Sequence, residues 1–339
     1  MKTSGIFINS LGTYLPELVP AEAPDEGAMT GAAIAGDTPA VTMALDATRQ
    51  ALDRWGHSTD LIALLLFVEV NHPGPDSWPP HAYLQRHAVG GHVLAAGIRQ
   101  GCNGLFGALE LAAGHLAALP AGKAAVITTA DNVESSLLDR WTALDGYCMG
   151  DGATALVLSR TPGFARLCSI TSTTIAELEE MHRGDEPLHP SNVITGRPTN
   201  FQERGDAFIL RGGLTTDIAI RMVKTVVEVA MRALDEAGIG IADVTKLVMF
   251  NGPWHAIAVY LDALGLPAER STWEWGRGIG HSPSDHVLAI DHLLSQGELA
   301  PGDHLLVCGL GPGLNLAAAV IEILDQPPWL TPVRGPDDG

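Results

Sequence analysis

The stretch "ALDRWGHSTDLIALLLF" (51–67) returns later in the chain as "ALDEAGIGIADVTKLVMF" (233–250). Each copy ends a helix on Ala-Leu-Asp, stops at a glycine, turns through an acidic residue and enters an apolar strand that closes on Phe67 or Phe250. One extra residue in the second loop is the offset between them. A second pair corresponds in the same order: "DGATALVLS" (151–159) and "GPGLNLAAAVIEI" (311–323) each start in a glycine-containing turn that feeds a buried strand. Two correspondences in register predict a duplicated α/β module, one copy over 1–165 and the other over 166–330.

Working outward, hydrophobic runs predict strands near 4–9, 62–70, 124–129, 153–159, 245–250, 304–308 and 315–323. Apolar residues at helical spacing predict helices near 40–55, 103–118, 215–237, 255–264 and 285–295. Strands alternating with helices imply an α/β fold with a parallel or mixed sheet covered on both faces. "CNGLFGALELAAGHLAA" (102–118) is apolar nearly all round, so its helix is expected to be central and buried. Residues 183–213 lack a period and carry many Pro, Gly and polar residues, the composition of a lid or channel wall.

The chain has 339 residues, 46% of them apolar and 17% charged, enough to bury a large core. A net charge of −19 excludes nucleic acid as an expected partner. An anionic substrate would need a local basic patch, for which Arg204, Arg211, Arg221 and Lys224 are candidates. The longest apolar run, "LIALLLFVEV" (61–70), falls short of the roughly 20 residues that span a bilayer. The first 17 residues lack a signal-peptide pattern, so the expectation is a soluble cytoplasmic protein without a membrane partner. Cys102, Cys148, Cys168 and Cys308 are widely spaced, with neither a CxxC pair nor a His/Cys cluster. They predict neither a disulfide framework nor a metal site.

Cys102 lies in "GCNG" (101–104), where an irregular segment becomes the apolar helix. A free cysteine is commonly a small core hydrophobe. A helix N-terminus, carrying about half a positive charge, also stabilises a thiolate. "GTYLPE" (12–17), "MALDATRQAL" (43–52), "GCNG", "MGDGATALVLS" (149–159) and "GPGLNLAAAVI" (311–321) stand in an order that resembles the ketoacyl-acyl carrier protein synthase III family of the thiolase superfamily. The resemblance covers nearly the whole chain. It implies a thiolase-like five-layered αβαβα sandwich, a homodimer, and acylation of Cys102 by acyl-CoA or an acyl carrier protein, with no cofactor beyond that co-substrate. It also implies an oxyanion hole made by the Cys102 N–H and a donor from the glycine turn. Pro312 has no N–H to give, which leaves Gly313 or Gly311.

The chain departs from the family at two places. Condensing members use a His and an Asn besides the cysteine. In "LVMFNGPWHAIAVYLDALGLP" (247–267) the His position falls on Phe250 or Asn251. In "GRGIGHSPSDHVLAIDHLL" (276–294) the Asn position falls on Gly280, next to His281. Loss of such a donor costs about 3–4 kcal/mol of transition-state stabilisation. The expectation is therefore acyl transfer, without decarboxylation, to a hydroxyl of a sugar or polyketide, as in members of antibiotic pathways. The alternative is a decarboxylating synthase that primes or extends a polyketide chain. His281 is expected to be the base, with His255 the second candidate, Asn251 a hydrogen-bond donor to thioester or acceptor, and Asp285 able to orient His281. His286 and His292 are expected to be structural. Arg211, Trp254 and Trp275, with Trp273 nearby, are expected to bind substrate.

Overall fold

The computed structural model describes residues 1–135 and 137–330. Eleven strands are described: β1 (Lys2–Tyr14), β2 (Glu17–Pro20), β3 (Gly31–Ile34), β4 (Ile62–Val68), β5 (Leu94–Ile98), β6 (Ala124–Asp131), β7 (Gly152–Ser159), β8 (Ala165–Thr174), β9 (Val244–Met249), β10 (His304–Gly311) and β11 (Asn315–Ile323). The α-helices are α1 (Ala40–Trp55), α2 (Pro80–Leu84), α3 (Gly104–Ala117), α4 (Glu179–Arg183), α5 (Asn192–Thr195), α6 (Phe201–Leu210), α7 (Thr216–Ala237), α8 (Trp254–Leu264), α9 (Trp273–Gly276) and α10 (Asp285–Ser295).

The strand order is β5-β4-β6-β7-β1-β8-β11-β10-β9, with β2 and β3 forming a separate hairpin. The pairing pattern repeats about the β1–β8 junction. From β1 outward, β7 and β6 pair antiparallel and β4 parallel; from β8 outward, β11 and β10 pair antiparallel and β9 parallel. Three main apolar clusters separate five layers. Ala44, Ala47 and Ala51 of α1 pack on Val126 and Ala155 of one half-sheet. Val229, Ala233 and Leu261 of α7 and α8 pack on Leu306 and Ala318 of the other. Between the half-sheets lie α3 and α10, both touching strands of each half, with Leu105, Leu109, Val287 and Ile290 in one continuous core. The architecture is the thiolase-like duplicated α/β sandwich.

Helix ends follow local chemistry. The α1 helix stops at Gly56 in the left-handed region, whose N–H caps the Leu52 carbonyl. The α7 helix starts at Thr215, whose hydroxyl accepts from the Ile218 N–H, and stops at Gly238. The segment 183–213 is not irregular throughout. It carries α5 and α6, and Arg204 of α6 donates to the His182 carbonyl of α4 at 3.0 Å and forks onto Glu186 just beyond it with two contacts of 2.9 Å.

Candidate active site

Cys102 is half-buried and immediately precedes Asn103, the N-cap residue of α3. The chain reaches it through Gly101, held at φ +58°. A Cβ there would lie 2.4 Å from Cδ of Pro312, so only glycine lets the cysteine loop pack against the 311–313 turn. The fully buried Asn103 donates through Nδ2 to Asn315 at the start of β11. The cysteine from the first half is thereby fixed to the hairpin of the second.

The loop between α9 and α10 supplies His281. Its N–H donates to the Cys148 carbonyl at 2.7 Å, and its carbonyl accepts from the Gly150 N–H at 3.0 Å. Gly280, at φ +90°, permits this approach, since a Cβ would lie 2.6 Å from Cα of Gly150. Nδ1 of His281 is 2.7 Å from Oδ2 of Asp285. That leaves Nε2 as the ring nitrogen not engaged by Asp285, with the Cys102 side chain beside the imidazole.

Asp285 is fully buried at the first turn of α10. Its carboxylate also accepts from the Asn251 N–H (2.8 Å), Asn251 Nδ2 (3.1 Å), the Ser282 N–H (2.8 Å) and the Ser282 hydroxyl (3.1 Å). These donors replace the water a buried carboxylate has lost. Burial by itself would lower the pKa of His281; Cys102 and Asp285 outweigh it and hold the imidazole well above its ordinary value. Tyr147 and Phe250 set ring edges against the imidazole, with centroids 5.8 and 6.1 Å away. Burial pushes the Tyr147 hydroxyl up, and Cys102 and Asp285 add to the effect, so the group stays protonated and able to donate. A thiol beside an imidazole that a carboxylate orients is an arrangement able to activate a nucleophile.

The strand-to-turn segment under this loop is held by a second buried carboxylate. Arg140 grips Asp151 with contacts of 3.1 and 3.0 Å and donates to the Met149 carbonyl at 2.7 Å. Both side chains are sealed from solvent.

Of the residues expected from the sequence, Cys102, His281 and Asn251 come together. Asn251 has a different part from the one expected. Its two amide protons go to the Gly280 carbonyl and Asp285, so it holds the carboxylate and has no donor left for a thioester. His255 is exposed on the first turn of α8, because that helix turns Ile257, Tyr260 and Leu261 inward. It is not brought to Cys102. Trp254 packs against Trp273 with centroids 4.8 Å apart and ring planes tilted by 60°. Trp275 lies flat on His292 at 4.6 Å and packs against the central core, so it is a packing residue. Arg211 is exposed at the end of α6 and is taken up by Asp185 and Glu180, so it offers no free anion site. Gly311 ends β10 beside Asn103, while the Gly313 N–H donates to Nδ1 of His182 at 3.4 Å.

The other thiols differ. Burial pushes Cys308 up to about 12 and also raises Cys148. Cys168 is half-buried at the edge of the second-half core, with its thiol beside Arg166 and Glu322. His286 is buried, with Nε2 2.9 Å from the Cys308 carbonyl and its ring edge-on to Phe106. Sequence reasoning missed Tyr147, Arg140 and His182. No motif marks them: Tyr147 and His182 act through contacts with distant segments, and Arg140 reaches Met149 and Asp151 across a loop without a regular spacing.

This geometry defines a thiolase-fold protein with a cysteine, a histidine and a buried carboxylate gathered between its two halves. Models of the 3-oxoacyl-[acyl-carrier-protein] synthase III family and of that family's C-terminal region match residues 97–175 and 234–323. The solved structure of ChlB3, described as an acyltransferase, is 47% identical, with a TM-score of 0.90, covering 96% of this chain and 99% of its own. The chain belongs to the 3-oxoacyl-[acyl-carrier-protein] synthase III family. A β-ketoacyl-[acyl-carrier-protein] synthase III of Erythrobacter litoralis is 28% identical over 287 residues, 83% of each chain. That of Streptomyces lividans is 27% identical over 292 residues, 84% of this chain and 80% of the relative. The 3-oxoacyl-[acyl-carrier-protein] synthase III of Aquifex aeolicus shares the fold at a TM-score of 0.76 and 20% identity, covering 94% of this chain and all of its own.

The curated β-ketoacyl synthases correct the expected reaction. Ester formation on a sugar or polyketide hydroxyl without decarboxylation was read from the vacated His and Asn positions. The curated relatives are instead β-ketoacyl synthases, which favours the alternative of a decarboxylating condensation. No helix among the described residues is long and apolar enough to cross a membrane.

Proposed function

We propose that the protein is a decarboxylating condensing enzyme of this family, working through an acyl group on Cys102. The observation that carries the reading is the line from Cys102 through His281 to the buried Asp285. The Cys102 thiolate adds to the carbonyl of an acyl-CoA or acyl carrier thioester. The departing thiolate takes a proton from water, and His281 stays an imidazolium. A malonyl-type thioester then loses its carboxylate as carbon dioxide. The electron pair left behind becomes an enolate whose oxygen accepts a hydrogen bond from Nε2–H of His281. The enolate carbon attacks the acyl carbonyl, the carbon–sulfur bond breaks, and the Cys102 thiolate returns. In the acyl-enzyme the Cys102 charge is gone, and Asp285 is the partner that continues to favour the His281 cation.

His281 does this without the neighbouring donor that Asn251 would have supplied, since that amide is spent on Asp285 and Gly280. Turnover is then expected about 10²–10³ below that of a site with both donors. The Cys102 N–H serves as an oxyanion donor, as the family resemblance implies. The residue ranges 1–165 and 166–330 are the two halves that deliver the cysteine and the histidine. The exposed edge strand β5, with Leu94 59% exposed, is the surface through which a homodimer forms.

The test supplies acetyl-CoA and then a malonyl thioester labelled in its free carboxyl carbon. Label released as carbon dioxide, dependent on Cys102, supports the reading. Label retained in an acylated product would overturn it.

A further inference from the structure

His182 lies on α4, within the segment that covers the 311–313 turn. Nδ1 of its ring accepts from the Gly313 N–H at 3.4 Å. Its own backbone carbonyl accepts from Arg204 Nη1 at 3.0 Å, and Arg204 is clamped on Glu186. Phe201 of α6 sets its ring edge-on to the imidazole at 6.3 Å. Burial pushes His182 down to about 4, with Arg204 adding to the effect, so the ring is neutral and Nδ1 keeps its lone pair.

The contact continues toward Cys102. Gly313 follows Pro312, whose ring sits where a Cβ of Gly101 would be, and Gly311 abuts Asn103. An unbroken set of contacts therefore runs from α4 through the turn to the residues on either side of Cys102.

We propose that His182 is a positioning residue: carried on α4, it fixes the Gly311–Gly313 turn and through it the setting of the Cys102 loop. This rests on the reading of Cys102 as the acylated residue. It ties the seat of α4 to the geometry of thioester attack, where displacements below an ångström matter.

His182→Ala and His182→Asn separate the acceptor from mere bulk, because Oδ1 of asparagine lies near the place of Nδ1. Two readouts are taken on the full chain: the rate of Cys102 acylation by acetyl-CoA, followed by intact mass, and amide hydrogen exchange across 309–316. The alanine variant is expected to acylate about tenfold or more slowly at saturating acetyl-CoA, with KM nearly unchanged and faster exchange in the turn. The asparagine variant is expected to recover to within about threefold, with exchange restored. Alanine at the wild-type rate, exchange unchanged, or alanine and asparagine equally slow would overturn the proposal. If wild-type protein forms no adduct, the Cys102 reading fails, and the exchange comparison alone decides the part of His182.

Discussion

Asp285 and Asp151 are both sealed from solvent, yet they are satisfied in opposite ways. Asp151 faces a permanent cation, Arg140, in a two-pronged pair, and also accepts from the backbone N–H groups of Ala35 and Val133. Asp285 faces neutral donors from Asn251 and Ser282, and a histidine whose charge depends on its own proton. The first pair is built to stay as it is. The second leaves one partner able to change state beside a thiol. The difference separates the scaffold from the proposed chemistry.

The comparison is broken most severely at the thiol. Cys102→Ala is expected to abolish the acyl adduct by intact mass and to lower turnover about 10⁴-fold or more, with folding intact. Next, His281→Ala is expected to lower carbon dioxide release about 10²–10⁴-fold in steady-state assays, with a smaller effect on stability.

At the scaffold carboxylate the balance reverses. Arg140→Ala leaves Asp151 buried and unpaired, a loss of about 3–5 kcal/mol seen in denaturant unfolding. Asp285→Asn in the same assay is expected to lose only about 1–2 kcal/mol, since its donors are mostly neutral. If the two variants traded places, with Arg140→Ala inactive but stable, the assignment of scaffold and chemistry would be wrong.

The pH dependence sharpens the same contrast. His281 has its pKa raised by folding, so its ion-pair stabilisation is fully present below the ordinary value of 6.5. It is lost as pH rises through the raised value. Carbon dioxide release is expected to fall over that upper window, and in Asp285→Asn the fall moves to lower pH. A pH–rate profile unmoved by Asp285→Asn would contradict the role given to the carboxylate. Least affected is the exposed Arg211: its replacement by alanine is expected to change stability by no more than about 0.5 kcal/mol.

Much of the fold was legible because its signals are local. Glycines at 56 and 238 end α1 and α7 where the sequence places them, and the apolar runs of β4, β6 and β11 fall within a few residues of expectation. β8 was missed because "ARLCSITSTT" is rich in Ser and Thr and alternates only in part between buried and exposed. β5, an edge strand, was missed because its short run of mostly Ala and Gly, "LAAGI", carries few of the β-branched and aromatic residues that mark a strand. The α6 helix was hidden by the Gly and Pro around it.

The site was legible where sequence neighbours become spatial neighbours. His281 and Asp285 are four residues apart, and the glycine frame of Cys102 is a local motif. The role of Asn251 was not legible, because both of its amide protons are claimed by groups 29 and 34 residues away. His255 and Trp275 lie close in sequence to the site, but the phase of α8 and the stacking on His292 direct them elsewhere. The expected reaction went wrong for a related reason. The expectation takes the two vacated positions as lost chemistry, whereas in the proposed reaction His281 supplies a donor from a position one residue along.

The most direct measurement follows carboxyl-labelled malonyl thioester on enzyme already acylated at Cys102. The account predicts one carbon dioxide released for each acyl group leaving the cysteine, and none from Cys102→Ala. Acyl groups leaving Cys102 with the malonyl carboxylate intact would contradict it.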